Sequence, residues 1–280
     1  MLKIGWFSTG RGEGSRGLLR FVQERILRGR LDSRIEFVFS NRDPGEAEGS
    51  DQFFQLVQGY GIPLVTLSST GFRRARGRPL SSVRQEYDHQ AMSLLSEYHP
   101  DLCVLAGYML IVGSAMCRKY PLLNLHPALP DGPTGTWQEV IWSLIQTRAT
   151  RTGAMVHLAT EDVDRGPVVS HCTVPIVGGA FAPHWEELQG QDLARAKAEV
   201  GGELPLFRLI RRVEYQREPY LLFETLRAIC EREATGKGGG MLDRRSRTTL
   251  GAGSWGLCLD REIDRAMAED GILTDGCIDI

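Results

Sequence analysis

The sequence lacks the features that mark metal-binding, secreted and membrane proteins. Its six cysteines are scattered through 280 residues without a Cys-x-x-Cys pair, so neither a zinc site nor a disulfide framework is predicted. A reduced, cytoplasmic protein fits this cysteine usage best. The most apolar window, residues 102–116, is short and interrupted by glycine, which predicts a buried segment instead of a membrane span. No long apolar stretch opens the chain, so no signal peptide is expected.

A strong charge of either sign is also lacking. The formal net charge is -2, and nothing in the sequence resembles the basic footprint of a nucleic-acid-binding protein. We expect small-molecule partners, with neither nucleic acid nor membrane among them, and a monomer or homodimer. Hydrophobic residues make up 42% of the chain, which is enough to build the core of one large domain.

The first 126 residues alternate between short apolar segments and helical patterns. The predicted strands are residues 2–9, 34–41, 62–67, 101–108 and 122–126. The helices predicted between them include residues 49–60 and 81–98. Such alternation predicts an open, mostly parallel α/β sheet with helices on both faces. Ligands of such sheets bind at the carboxyl ends of the strands.

The second half of the chain has a different pattern, which predicts antiparallel strands in the C-terminal part. The predicted elements are strands at 152–160 and 167–176, an inserted loop with one helix at 178–203, a helix at 206–233, a linker and hairpin at 235–254, and a helix at 259–271. Pro219 predicts a break in the helix at 206–233. We therefore expect one domain over residues 1–233 and an extension over 234–280.

A glycine-rich segment follows the first strand and precedes a helix. Gly12, Gly14 and Gly17 fit the pattern Gly-x-Gly-x-x-Gly. Glycines let the backbone approach an anion, and the following helix N-terminus offers free N–H groups, so a phosphate cradle is predicted. A dinucleotide site that uses Arg42 and Asp43, and a plain structural turn, remain open at this point.

The stretch LLNLHPALP (122–130) places polar side chains at the end of an apolar strand. Asn124 and His126 are two residues apart, so in an extended strand their side chains leave the same face. Pro127 then ends the strand pattern, because proline cannot donate to a ladder. A buried, satisfied histidine beside a capping asparagine would explain the stretch equally well when it is considered alone.

A cluster of acids lies in the loop between the next two predicted strands. Glu161, Asp162 and Asp164 stand close together, and a solvated acidic turn is their ordinary interpretation. His157 ends the preceding strand and is expected to be a core residue. A metal site built from His126, His157 and Asp164 is conceivable, but no helical histidine pair and no cysteine ligand supports it.

Considered together, these segments resemble the folate-dependent formyltransferases. The resemblance is carried by VFSN (38–41), PDLCVLAGYMLI (100–111), LLNLHPALP (122–130), GAMVHLATEDVDRGPVV (153–169) and VPI (174–176). Asn-x-His-Pro followed about 40 residues later by Asp-x-Gly-Pro is specific in both order and spacing. The similarity extends from residue 2 to about residue 233 and is closest to the branch that formylates glycinamide ribonucleotide in purine biosynthesis.

The resemblance implies a Rossmann-like fold and a one-carbon transfer without a metal. A formyl group would pass from 10-formyltetrahydrofolate to a primary amine of a phosphorylated small molecule. The implied catalytic triad is Asn124, His126 and Asp164. The Asn124 amide and a protonated His126 would donate hydrogen bonds to the formyl oxygen, while Asp164 orients His126 and manages the proton that leaves the amine.

The resemblance also implies two sets of binding residues. The acceptor and its phosphate would contact Gly12, Gly14, Ser15, Arg16, Arg211 and Glu214. The folate would contact Tyr108, Met109, Leu110, Ile111, Val112, Thr160, Glu161 and Asp162.

Departures from the family pattern concern mainly the acceptor. Leu110 stands where the glycinamide enzymes usually carry arginine, and Arg211 stands where they carry glutamine. Another amine, such as an amino sugar nucleotide, and hydrolysis of formyltetrahydrofolate therefore remain alternatives. An NADP-binding Rossmann protein is the alternative outside the family.

Overall fold

The computed structural model describes residues 1–235 and 256–272. The strands in this part of the chain are β1 Leu2–Phe7, β2 Ser33–Ser40, β3 Leu64–Thr66, β4 Leu102–Leu105, β5 Leu122–His126, β6 Arg151–Leu158, β7 Val168–Pro175 and β8 Leu257–Cys258. The α-helices are α1 Glu13–Leu27, α2 Glu48–Gly59, α3 Ser69–Arg76, α4 Arg84–Leu94, α5 Ser114–Lys119, α6 Trp137–Gln146, α7 Ala182–Glu187, α8 Leu193–Glu199, α9 Pro205–Thr235 and α10 Asp260–Glu269.

The strands form a sheet in the order β3-β2-β1-β4-β5-β6-β7-β8. Strands β1 to β5 pair in parallel, with Phe7 of β1 opposite Phe39 of β2 and Leu105 of β4. Strands β6 and β7 run antiparallel, since backbone bonds join residue 158 to 167 and residue 150 to 176. The predicted α/β class, with a parallel part followed by antiparallel strands, is confirmed.

The chain divides into two compact units. The described residues of the first unit are 1–125, 157–167 and 226–235, and those of the second are 126–156, 168–225 and 256–272. The core of the first unit includes Phe7, Phe37 and Tyr87, which are fully buried. Helix α4 supplies Tyr87 to this core and α5 supplies Met116. The core of the second unit is built largely by α6 and by the first half of α9.

The structure corrects the expected break at Pro219. Helix α9 is continuous from Pro205 to Thr235, with Pro219 inside it. Proline removes one intrahelical hydrogen bond. Tyr220, Leu221 and Leu222 follow it directly and are at most 2% exposed, so tertiary burial offsets that loss.

The inserted segment over residues 178–203 contains two short α-helices, α7 and α8, where one was expected. Asp192 begins α8, because its side chain accepts hydrogen bonds from the N–H groups of Ala194 and Arg195. The predicted terminal helix is confirmed as α10. The hairpin expected over 235–254 lies outside the described residues, and the domain boundary at residue 233 stays a prediction.

Candidate active site

The glycine segment and the Tyr108 segment follow neighbouring strands of the first unit. Residues 8–13 follow β1, and residues 106–113 follow β4, which pairs with β1 on the side opposite β2. From β1 the chain continues to β2 on one side of the β1–β4 pair, and from β4 it continues to β5 on the other side. This is the topological switch point at which open α/β sheets bind their ligands.

The predicted phosphate cradle begins a helix, as expected. Gly12 is the N-cap of α1, with extended backbone dihedrals and without a side-chain cap for the first turn. The free N–H groups of this turn and the positive end of the helix dipole favour an anion. Ser15 is buried, and its hydroxyl lies where a side chain at Gly107 would point, 2.6 Å from an ideal Cβ there.

Arg16 is already engaged by neighbouring groups. Its guanidinium donates to the Glu13 carboxylate at 2.9 and 3.1 Å and to the Gly49 carbonyl at 3.3 Å. Glu13 also lies 3.5 Å from Arg20. Arg16 and Arg20 are thus both paired with the Glu13 carboxylate in the first turn of α1. Arg16 would have to give up one of its present contacts before it could bind a phosphate.

The segment predicted to contact folate combines buried and exposed apolar side chains. Tyr108 packs edge-on against Phe7 with ring centroids 5.7 Å apart, and Val112 is buried. Met109 and Ile111 are 57% and 62% exposed. Large exposed apolar side chains on one short loop offer a surface against which a planar ring can pack.

Asn124 and Asp164 meet in the first unit. The Asn124 amide nitrogen lies 3.3 Å from Asp164 Oδ1 and 3.1 Å from His157 Nε2. His157 Nδ1 lies 3.0 Å from the Leu158 carbonyl, which can only accept, so Nδ1 carries a hydrogen. In the neutral ring Nε2 is then the acceptor, and one amide nitrogen serves both His157 and Asp164.

Local backbone geometry places Asp164 at this position. Asp164 has φ +55°, a left-handed conformation that aspartate tolerates better than most residues. A Cβ at Gly166 would lie 1.7 Å from the Leu158 carbonyl oxygen, so the loop can close there only with glycine. Asp164 and Gly166 are therefore both suited to the backbone of this loop.

His126 belongs to the second unit and is 3% exposed. Its Nε2 lies 3.0 Å from the Pro133 carbonyl, so this nitrogen carries the hydrogen. Asn124 and His126 both lie on β5, which confirms the predicted strand over 122–126. The loop after His126 therefore provides a partner of the histidine ring.

The acidic loop turns two of its carboxylates outward. Glu161, Asp162 and Val163 are exposed, and Val163 is 48% exposed. Glu161 lies 3.2 Å from Arg118 of α5. Thr160 donates to the Asp162 carbonyl at 3.2 Å. Of the three acids, Asp164 alone has a contact to the Asn124 amide in the residues described.

The structure buries Glu214, which the resemblance assigned to the acceptor. Glu214 is 1% exposed and accepts a hydrogen bond from Thr152 at 2.5 Å, while its second carboxylate oxygen has no partner among the described residues. Burial raises the pKa of Glu214 to about 8. Arg211 pairs with Glu218 and stacks over Trp137 at 4.8 Å. Both side chains therefore have partners within the protein.

A cleft of about 390 Å³ opens in the second unit beside the loop after His126. Ala128, Val140 and Leu144 form apolar parts of its wall, and Thr152 contributes a polar part. None of the residues predicted from sequence lines this cleft. Thr152 connects it to the buried Glu214.

His157 is absent from the catalytic residues that the resemblance implies, and the sequence analysis treats it as a core residue or a conceivable metal ligand. It is 1% exposed, and its Nε2 contacts the Asn124 amide and lies 3.8 Å from Asp164 Oδ1. The available signal was its position at the end of β6, directly before the acidic loop. Among residues 1–235 and 256–272, no group of three histidine, cysteine, aspartate or glutamate side chains has a metal-binding arrangement. No helix in the same residues is long and apolar enough to cross a membrane.

Comparison with known families gives one match over more than half of the chain. The family model described as Formyl transferase matches residues 20–182. The phosphoribosylglycinamide formyltransferase of Escherichia coli is 28% identical over 170 residues, which cover 60% of this chain and 71% of that protein. The enzyme of the same name from Saccharomyces cerevisiae is 36% identical over 93 residues, which cover 31% of this chain and 44% of that protein.

Comparison with solved structures shows the same fold. Glycinamide ribonucleotide transformylase 1 from Symbiobacterium toebii superposes with a TM-score of 0.58 at 23% identity, covering 82% of this chain and 88% of that one. The formyltetrahydrofolate deformylase from Burkholderia mallei superposes with a TM-score of 0.53 at 18% identity, covering 82% of this chain and 66% of that one.

Proposed function

Because the chain belongs to the formyl transferase family, we propose that it transfers a formyl group from 10-formyltetrahydrofolate to the primary amine of glycinamide ribonucleotide in purine biosynthesis. The family and the α/β fold predicted from sequence are confirmed. Relatives whose names specify this activity support the choice of acceptor. The observation that carries the proposal is the 3.3 Å contact between Asn124 and Asp164, because it joins the two halves of the sequence motif.

Asn124, His126 and Asp164 are the proposed catalytic residues. Attack of an amine on the formyl carbon places negative charge on the formyl oxygen, and N–H donors aimed at that oxygen stabilise it. The Asn124 amide nitrogen contacts His157 and Asp164. We expect one of these contacts to be exchanged for the formyl oxygen when substrate binds.

Proton transfer is assigned to His126 and Asp164. Since His126 Nε2 already donates to Pro133, a further proton on this ring would reside on Nδ1. Asp164 can accept a proton from the attacking amine, either directly or through a water molecule. Completing the transfer breaks the bond between the formyl carbon and N10 of the folate, and this nitrogen takes up a proton in place of the formyl group. Transfer is direct between two substrates held side by side, so the chain needs no nucleophilic serine or cysteine.

Substrate binding is assigned to the switch point of the first unit. The N-terminus of α1 at Gly12 offers N–H groups to the acceptor phosphate. The folate ring is assigned to residues 108–112, whose exposed Met109 and Ile111 provide an apolar surface. Thr160, Glu161 and Asp162 are assigned to the polar side of the folate site. The folate supplies the formyl carbon, and the chain supplies orientation and charge.

A second acceptor is favoured by the state of Glu214 and Arg211. Glu214 is buried against Thr152, and Arg211 is neutralised by Glu218, so the two residues assigned to the acceptor have other partners. A different phosphorylated amine, such as an amino sugar nucleotide, is therefore the alternative substrate class. Hydrolysis of formyltetrahydrofolate is the alternative reaction.

The test is a substrate panel with purified protein. Formylated product is measured by mass spectrometry with glycinamide ribonucleotide, with an amino sugar nucleotide and without an amine. Asp164→Asn and His126→Ala are each expected to remove product formation while circular dichroism remains that of the wild type. Formate release at the full rate without an amine would favour hydrolysis instead.

The matched control is Asp192→Asn, since asparagine caps a helix as well as aspartate does. This variant removes one carboxylate of the second unit without changing the proposed site, so wild-type activity is expected. Wild-type activity in Asp164→Asn or His126→Ala would refute the proposed mechanism. The cytoplasmic location and the monomeric or homodimeric state stay predictions, and light scattering would decide the latter.

A further inference from the structure

Both ends of the loop over residues 108–113 are held by buried side chains that the proposed chemistry does not use. This loop has no regular secondary structure, so its backbone N–H groups need partners from elsewhere in the protein. The N–H of Met109 donates to Thr9 Oγ1 at 2.9 Å. The N–H of Gly113 donates to Asp88 Oδ2 at 2.7 Å.

Thr9 connects the ends of three strands. It is 2% exposed, and its hydroxyl donates to Asn41 Oδ1 at 2.7 Å while accepting from Met109. A hydroxyl has one hydrogen and two lone pairs, so it can fill both roles at once. Thr9 follows β1, Asn41 follows β2, and Met109 lies just beyond β4. The main chain of Thr9 is itself bound, by Ser50 and by Gly107.

Asp88 holds the other end of the loop from α4. It is 1% exposed, and Arg84 lies 3.9 Å from its second oxygen. A buried carboxylate is costly unless it is bonded, which makes the bond to Gly113 structurally important. An ideal Cβ at Gly113 would lie 2.4 Å from Asp88 Oδ2, so glycine permits the close approach.

The residues between the two attachments expose Met109 and Ile111. Fixing the backbone at both ends removes conformational freedom that a ligand would otherwise have to remove on binding. We propose that Thr9 and Asp88 are positioning residues that hold the 108–113 loop in the conformation that binds the folate. The inference rests on the proposed function, which assigns this loop to the folate.

The first test compares Thr9→Val with Thr9→Ser. Valine keeps the shape but cannot donate or accept, whereas serine keeps the hydroxyl. For Thr9→Val we expect KM for the folate to rise roughly tenfold while kcat changes less than about twofold. The reason is that the folate would have to order the 108–113 loop when it binds, which weakens binding but leaves the chemical step unchanged. Thr9→Ser should restore KM to near the wild-type value.

Asp88 gives an independent pair of variants. Asp88→Leu removes the acceptor for Gly113, whereas Asp88→Asn keeps an oxygen that can accept. We expect the leucine variant to raise KM for the folate and the asparagine variant to remain close to the wild type. Thr225→Val is the control. The buried Thr225 hydroxyl also makes two hydrogen bonds, to Leu221 and Ser170, and both partners lie outside the 108–113 loop.

A second readout needs no substrate. Hydrogen exchange of the Met109 amide in the ligand-free protein should be at least about tenfold faster in Thr9→Val than in the wild type, and unchanged in Thr225→Val. Unchanged KM and unchanged exchange in Thr9→Val would overturn the inference. If the wild-type protein transfers no formyl group, the proposed function is refuted. The exchange rates would still show whether Thr9 holds the 108–113 loop in place.

Discussion

Replacing Glu214 with glutamine should remove a large pH dependence of stability. Burial, helped by the neighbouring Glu218 and opposed by Thr152 and Arg211, raises the pKa of Glu214 from 4.5 to about 8. Between these values the unfolded chain releases the proton and the folded protein keeps it, so stability falls as pH rises. At ~1.36 kcal/mol per pH unit, the free energy of unfolding should fall by about 3 to 4 kcal/mol from about pH 5 to pH 8.

Glu214→Gln keeps an oxygen that accepts the Thr152 hydrogen bond and is neutral at every pH. Its free energy of unfolding should therefore lack this decrease and exceed that of the wild type at about pH 8 by about 3 to 4 kcal/mol. The assay is urea unfolding across this pH range, followed by tryptophan fluorescence, to which the buried Trp142 of the same unit contributes. The control is Glu199→Gln, because Glu199 is an exposed partner of Arg195. The pH dependence of its stability should follow that of the wild type. An equally steep decrease in Glu214→Gln would refute the burial argument.

Two further predictions concern the candidate site and the second unit. His157→Leu should lower kcat at least about tenfold because the Asn124 amide loses one of its two acceptors, His157 and Asp164. His157→Gln can place an oxygen near the former Nε2 and should retain more activity, and equal kcat values in the two variants would contradict this role. Thr136→Ala should destabilise the second unit by about 1 kcal/mol, because it removes the hydroxyl that forms the capping box with Glu139 at the start of α6. Thr136→Ser keeps this hydroxyl, so its midpoint of urea unfolding should be close to that of the wild type.

The parallel half of the fold and the chemical motif could be predicted from sequence because both depend on local patterns. Short apolar segments between helical ones indicate strands buried on both faces, as β1 and β4 are. The two-residue spacing of Asn124 and His126 already defines one strand face. The Asp-x-Gly-Pro segment predicts a tight loop, and the clash at Gly166 explains its glycine. Each inference needs only neighbouring residues.

What the tertiary structure decided depends on contacts between residues distant in sequence. His157 became part of the candidate site because it lies 3.1 Å from an amide 33 residues away. Glu214 became a buried, protonation-sensitive group because Thr152 and the core of the second unit enclose it. Thr9 reaches Met109 across 100 residues. A sequence pattern reports which face of an element is apolar, but only the packed chain determines which polar groups meet and how much water they lose.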